Sequence, residues 1–154
     1  MSIALVRNPG DGRDFPYYKS VIEQVVTTAE TSGAVTVMRL TVNHGDAPPL
    51  HSHSREDESW VVLSGRVRFW AGSTSLAECD VHDAEPGAYV YGPRLVPHTF
   101  QAITPTAELL IINSPGAVEG YFHAIGPADA RHDAEHADVL GQYGVVTYDN
   151  PPAA

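Results

Sequence analysis

The chain reads as an all-β protein, a sandwich or closed barrel of short strands followed by a short helical extension at the C-terminal end. Three observations predict this. Short apolar or alternating runs recur at regular spacing as far as Asn113, the pattern of a sandwich or barrel. Glycine and proline are abundant, 13 and 12 in 154 residues, and supply the turns such a fold needs. Helical spacing appears only after Asn113.

Taken in order, Ile3–Arg7 reads as a short strand ended by the turn-rich Asn8–Asp14. Tyr17–Val26 and Ala34–Val42 follow as strands, joined by the polar Thr27–Gly33. In the second, residues 36, 38, 40 and 42 share one face, and Thr, Met, Leu and Val there suit the interior. Arg39 then points outward and is no substrate anchor. Gly45–Gly65 comes next, and Gly65 turns the chain into Arg66–Trp70, where Val67 and Phe69 alternate with Arg66 and Arg68. Ser73–Cys79 carries a faint strand pattern, and Ala88–Tyr91, His98–Ala102 and Ala107–Ile112 complete the series.

In Ala117–Ile125, Val118, Tyr121, Phe122 and Ile125 form a helical stripe. Tyr121 and Phe122 suit either a cap on the barrel or a dimer surface. Gly126–Arg131 interrupts, His132–Gly141 reads as a second helix stopped by Gly141, and Val145–Tyr148 as a strand returning to the sheet. The organisation is thus a β-barrel over residues 1–113 and a helical extension and tail over 114–154 of the same domain.

Composition narrows the function classes. A length of 154 residues suits one domain with a single core. The formal net charge of −10 argues against nucleic acid and anionic membranes as partners. No apolar run approaches the roughly 18 residues of a membrane-spanning helix, and the first 15 residues lack a signal-peptide pattern. The single cysteine, Cys79, excludes an internal disulfide and reads as a packing residue. The cytoplasm is the expected compartment.

The chemistry concentrates in Gly45–Gly65, GDAPPLHSHSREDESWVVLSG. His51 and His53 are two apart and project to one face of a strand. Glu58 follows a charged, turn-prone run and opens an apolar strand, so two strands of one hairpin can aim three ligands at one place. His98, after a proline-rich turn, is the candidate fourth. This mix of imidazole and carboxylate suits one divalent Fe, Mn, Ni, Co, Cu or Zn ion. Glu56 and Asp57 fall in the expected turn and should face solvent. Trp60 and Val62 share the Glu58 face; Val61 and Leu63 take the other.

His44, His82 and His123 match no ligand spacing and read as surface or packing residues. His132 and His136, one helical turn apart among acidic neighbours, read as a solvated face able to pick up adventitious Zn or Ni. The pocket around the metal should be lined by Met38, Leu40, Trp60, Phe69, Tyr89 or Tyr91, and Phe100. That aromatic, nearly uncharged lining suggests a flat, oxygen-bearing apolar substrate. Arg94, near the mouth, reads as a solvated loop residue.

The first stretch resembles the first motif of the cupins, G-x5-H-x-H-x4-E-x6-G, carried by Gly45, His51, His53, Glu58 and Gly65. The second, PGAYVYGPRLVPHTF, is similar to the second cupin motif, G-x5-P-x-G-x2-H-x3-N, at Gly87, Pro93 and His98. Leu95 stands in place of the glycine that normally relieves a positive φ, and Ala102 in place of the asparagine. The resemblance implies a jelly-roll β-barrel, and the β-then-α ending is similar to single-domain cupins related to quercetin dioxygenases. It further implies a metal-dependent dioxygenase in which an aromatic enol binds at the metal through its hydroxyl, Glu58 takes the proton, and O₂ cleaves a C–C bond.

Two other functions fit the same residues. One is a non-redox cyclase or isomerase like the cupin-type cyclases of aromatic polyketide pathways, with Glu58 or a histidine moving protons. The other is a non-catalytic small-molecule binding module, because fold does not dictate function. Exposed sheet edges suggest a homodimer.

Overall fold

A computed structural model describes residues 4–125 and 134–154. The strands are β1 (Arg13–Tyr17), β2 (Ser20–Val26), β3 (Thr36–Asn43), β4 (Leu50–His53), β5 (Asp57–Ser64) and β6 (Val67–Ala71). They continue with β7 (Asp80–Ala84), β8 (Tyr89–Gly92), β9 (His98–Ala102), β10 (Thr106–Ser114) and β11 (Val145–Asp149). Two helices, α1 (Glu119–Ile125) and α2 (Ala134–Gln142), lie between β10 and β11. No helix among the described residues is long and apolar enough to cross a membrane.

The strands form two antiparallel sheets, ordered β1-β2-β3-β10-β5-β8 and β11-β4-β9-β6-β7. This is a jelly-roll sandwich rather than a fully closed barrel. Alternation builds its interior. Thr36, Met38, Leu40 and Val42 are buried on β3, and Ala107, Leu109, Ile111 and Asn113 on β10 beside it. Arg39 points the other way and pairs with Glu23 at 2.8 Å. On β5 the inward set is Glu58, Trp60 and Val62, while Val61 is half-buried and Leu63 exposed. Trp60, Phe69 and Phe100 bring the two sheets together, with ring centroids 5.3 to 6.2 Å apart.

Local readings differ from the structure at four places. Residues 4–8 form no strand; the first strand is Arg13–Tyr17, paired with β2 through Tyr17↔Ser20. That hairpin turns on Tyr18 at φ 51, a left-handed position without the glycine that would have announced it. Ser73–Cys79 holds a short 3-10 turn at Leu76–Glu78, and the strand beyond it, Asp80–Ala84, is a charged edge with no apolar alternation. The second helix runs through Gly141 to Gln142, and the left-handed residue that stops it is Gly144, φ 74. Its expected start at His132 lies outside the described residues. The last strand does return to a sheet, pairing with β4.

Candidate metal centre

Strand β4 begins after Pro48 and Pro49 and holds His51 and His53 on the same side, as the period of two requires. Strand β9 runs antiparallel to it, with His51 directly opposite His98. Glu58 arrives from elsewhere. Strand β5 pairs with β10 and β8 in the six-stranded sheet, whereas β4 and β9 belong to the five-stranded one. The expectation that the first three ligands sit on two paired strands of one hairpin is therefore corrected: they face each other across the sandwich interior.

Potential ligand atoms of His51, His53, Glu58 and His98 all lie within 4.8 Å of one another, and all four residues are buried. Glu58 Oε2 lies 3.0 Å from His98 Nε2 and 3.2 Å from His53 Nε2. The imidazoles pack at centroid distances of 4.8 Å (His51–His98), 5.1 Å (His51–His53) and 5.5 Å (His53–His98). Each has its Nδ1 engaged away from the cluster: His51 with Pro49 O at 2.6 Å, His53 with Glu56 Oε1 at 2.7 Å and His98 with Val96 O at 3.0 Å. A carbonyl or ionised carboxylate oxygen only accepts, so each Nδ1 donates and Nε2 is left for the interior. On the far side of Glu58, Asn113 Nδ2 donates to Oε1 at 3.1 Å.

The donor set fits a divalent ion. His53 Nε2 is buried within 3.2 Å of Glu58 Oε2 but makes no well-aligned hydrogen bond among the described residues, which leaves its lone pair to an ion. Nδ1 hydrogen bonds that turn Nε2 inward are the usual support of histidine ligands.

Without an ion, the cluster is electrostatically divided. Burial pulls His51 down to about 3, and the neighbouring His98 and His53 add to it. Burial also opposes charge on His53, but Glu58 and then Glu56 outweigh it and hold the ring above its ordinary value. For Glu58, burial pushes up, yet the His53 and His98 rings hold the carboxyl well below the usual carboxylate range. His51 is thus a neutral ligand, and Glu58 an anionic one.

His98 forms part of the wall of a cavity of about 590 Å³. Trp60, Phe69, Tyr89 and Tyr91, named from the sequence, line it. Met38, Leu40 and Phe100 are buried in the apolar core instead and are not part of its wall. Tyr89 and Tyr91 are 61% and 55% exposed, which puts them at the mouth rather than inside. Trp70 and His82 also line the cavity, together with Asp83 and Glu85. Those two acids are engaged by Arg68 and Arg66 at 2.6 and 2.9 Å. The cavity is therefore aromatic, with its charges confined to neutralised pairs.

Two residues of the site escape sequence reasoning. Glu56, expected in solvent, is fully buried against His53. Its position in an acidic run reads as a surface turn, and only the inward bend of that turn reveals it. Asn113 lies opposite Glu58 in the β5–β10 ladder. A polar residue continuing the buried face of Ala107, Leu109 and Ile111 is the signal that could have found it. His82 is in the cavity wall, whereas His44 and His123 lie away from the cluster. His44 contacts Ala102 O at 2.6 Å and His123 contacts Gln24 Oε1 at 3.2 Å. The side chains of His132 and His136 lie outside the described residues. Arg94 is exposed and pairs with Asp57 at 3.1 Å.

Residues 38–113 match the family model of the cupin domain. Over 103 residues the chain is 30% identical to quercetin 2,3-dioxygenase of Aspergillus japonicus, a span of 66% of this chain and 29% of that protein. The chain thus matches less than a third of that relative's length. Among solved structures, KdgF from Halomonas sp. aligns with a TM-score of 0.61 at 16% identity, covering 72% of this chain and 94% of that one. Oxalate decarboxylase from Bacillus subtilis aligns at 0.59 and 22% identity, covering 75% and 31%. These structural likenesses establish the fold.

Proposed function

We infer that this chain belongs to the cupin superfamily, and from that premise propose that it is a metal-dependent enzyme acting on an aromatic or enolic small molecule, a dioxygenase of the quercetinase kind. The observation that carries the proposal is the meeting of His51, His53, Glu58 and His98 in one buried cluster, of which His98 forms part of the wall of an aromatic cavity. A volume of about 590 Å³ lies within the range that encloses one small organic molecule.

A divalent ion held by those four residues would supply Lewis acidity toward an enolate or catecholate oxygen and a place for O₂ to react. The chain's own groups divide the remaining work. Trp60 and Phe69 hold a flat ring against the His98 side, and Tyr89 and Tyr91 close over it from the mouth. Glu58 Oε2 accepts the substrate hydroxyl proton, while Asn113 fixes Oε1 so that the carboxylate presents one edge. Trp60 Nε1, buried without a hydrogen-bond partner among the described residues, offers a donor to a substrate oxygen. The relative's name supports the dioxygenase choice among metal-dependent chemistries. A homodimer joined along exposed edge strands belongs to the same proposal, as does a cytoplasmic setting in which Cys79 stays reduced.

The test is elemental analysis of protein purified without a histidine tag, paired with O₂ consumption over a panel of phenolic and enolic substrates. The expected result is one bound transition metal per chain and O₂ uptake matched to substrate loss. Equal turnover under strict anaerobiosis would overturn the dioxygenase and favour a non-redox cyclase or isomerase.

A further inference from the structure

Glu56 is 0% exposed, although Ser54 and Arg55 beside it are in solvent. Oε1 accepts from His53 Nδ1 at 2.7 Å, and Oε2 is buried with no hydrogen-bond partner among the described residues. Burying a carboxylate this completely is unfavourable unless a positive charge compensates it. The other two histidines of the cluster donate Nδ1–H to neutral backbone carbonyls, of Pro49 and Val96. Only His53 is backed by an anion.

We propose that Glu56 is a positioning residue of the metal centre, acting through His53. Its carboxylate fixes the ring by Nδ1, directs Nε2 to the ion, and makes His53 the most electron-rich of the three imidazole ligands. It also sets the charge balance. With three neutral imidazoles, the carboxylates of Glu58 and Glu56 together match the two positive charges of a divalent ion, so the loaded interior carries no net charge. Remove the Glu56 charge and a positive charge is left in an apolar interior, which lowers affinity for the ion without touching any ligand. This inference rests on the reading that the four-residue cluster holds a metal.

The experiment titrates metal-free wild type, Glu56→Gln and Glu56→Asp with Zn²⁺ by calorimetry at one pH. Nitrogen-correlated NMR then records the imidazole N–H protons of the zinc-loaded proteins. Glutamine keeps the size and an acceptor oxygen but removes the charge. Zinc affinity is expected to fall 10- to 100-fold, and the His53 Nδ1–H resonance to move upfield while those of His51 and His98 stay in place. Unchanged affinity in Glu56→Gln would overturn the proposal, because a purely structural Glu56 would lower the melting temperature alone. If Glu56→Gln does not fold, Glu56→Asp decides by the same measurements. The charge remains but withdraws from Nδ1, so weaker binding with a displaced His53 signal supports the proposal, and wild-type values overturn it. A wild-type protein that binds no zinc would instead overturn the metal-centre reading itself, a failure visible before any substitution is made.

Discussion

Glu58 and His98 meet at 3.0 Å although their strands belong to opposite sheets, so the candidate metal centre is also a tie across the sandwich. An ion gripped from both sides should stabilise the fold as well as serve chemistry. At 100 times Kd, a bound ion contributes about 2.7 kcal/mol. For a domain of this size that is roughly 5 to 10 °C in melting temperature. Calorimetry of metal-loaded protein before and after chelation should show this shift, and His98→Ala should remove it. A melting temperature indifferent to chelation in the wild type would contradict the tie.

Leu95 occupies a left-handed position, φ 69, where the family pattern has glycine, and its side chain is 66% exposed. Its N–H donates to His53 O at 2.7 Å, so the turn it strains is anchored to a candidate ligand. A left-handed leucine costs roughly 1–2 kcal/mol, and asparagine tolerates the position without glycine's entropic penalty. Leu95→Asn should therefore raise stability by about 0.5–1 kcal/mol, read as a higher urea midpoint at unchanged slope. A lower midpoint would show that the leucine side chain contributes more by packing than its backbone loses by strain.

Much of this architecture is legible in the sequence because alternation and ligand spacing are local. Met38, Leu40 and Val42 announce their face, and the spacing of His51, His53 and Glu58 announces a candidate metal site. What stays hidden depends on partners distant in the chain. That β4 and β5 part into different sheets follows from β10 pairing with β5, and β9 with β4, rather than from anything within Gly45–Gly65. Glu56 in solvent and Glu56 against His53 share one sequence. The Tyr18 turn and the Asp80–Ala84 edge strand lack glycine and alternation respectively, so propensity is silent there.

Alkaline pH should unfold the protein early. Tyr17 and Tyr18 place their hydroxyls 3.3 and 3.4 Å from that of Tyr121, beneath α1 and the first hairpin. Burial, then the neighbouring Tyr18, pushes Tyr17 well above the ordinary 10.0 despite the opposing hydrogen bond to Tyr121. Burial, then Tyr17 and Tyr18, does the same to Tyr121. Burial also raises Tyr18. Below about pH 10 these tyrosines are protonated in both states, and the stability is unaffected. Above it the unfolded chain has lost protons that the native one retains, so stability falls by up to roughly 1.4 kcal/mol per pH unit for each buried tyrosine. Urea midpoints measured from pH 8 to 11 should drop beyond pH 10, and Tyr121→Phe should flatten the drop.

Gly92 offers a way to disturb the cavity without replacing a ligand, although a Cβ there would also stand 3.1 Å from the backbone oxygen of Glu58. It pairs with Glu58 in the β5–β8 ladder, and a Cβ placed on it would stand 3.0 Å from Trp60 Cζ3 and 3.1 Å from Trp60 Cη2. Any side chain there must push the indole, which lines the cavity and packs 5.0 Å from His98 by ring centroid. Valine adds enough volume to force that movement, at a cost of about 1–3 kcal/mol as in other overpacked interiors. Gly92→Val should still bind one metal ion, show altered tryptophan fluorescence, and raise KM severalfold for any aromatic substrate the wild type turns over. Unaltered KM with shifted fluorescence would mean that the substrate does not rest on Trp60, and the aromatic wall would lose its proposed role.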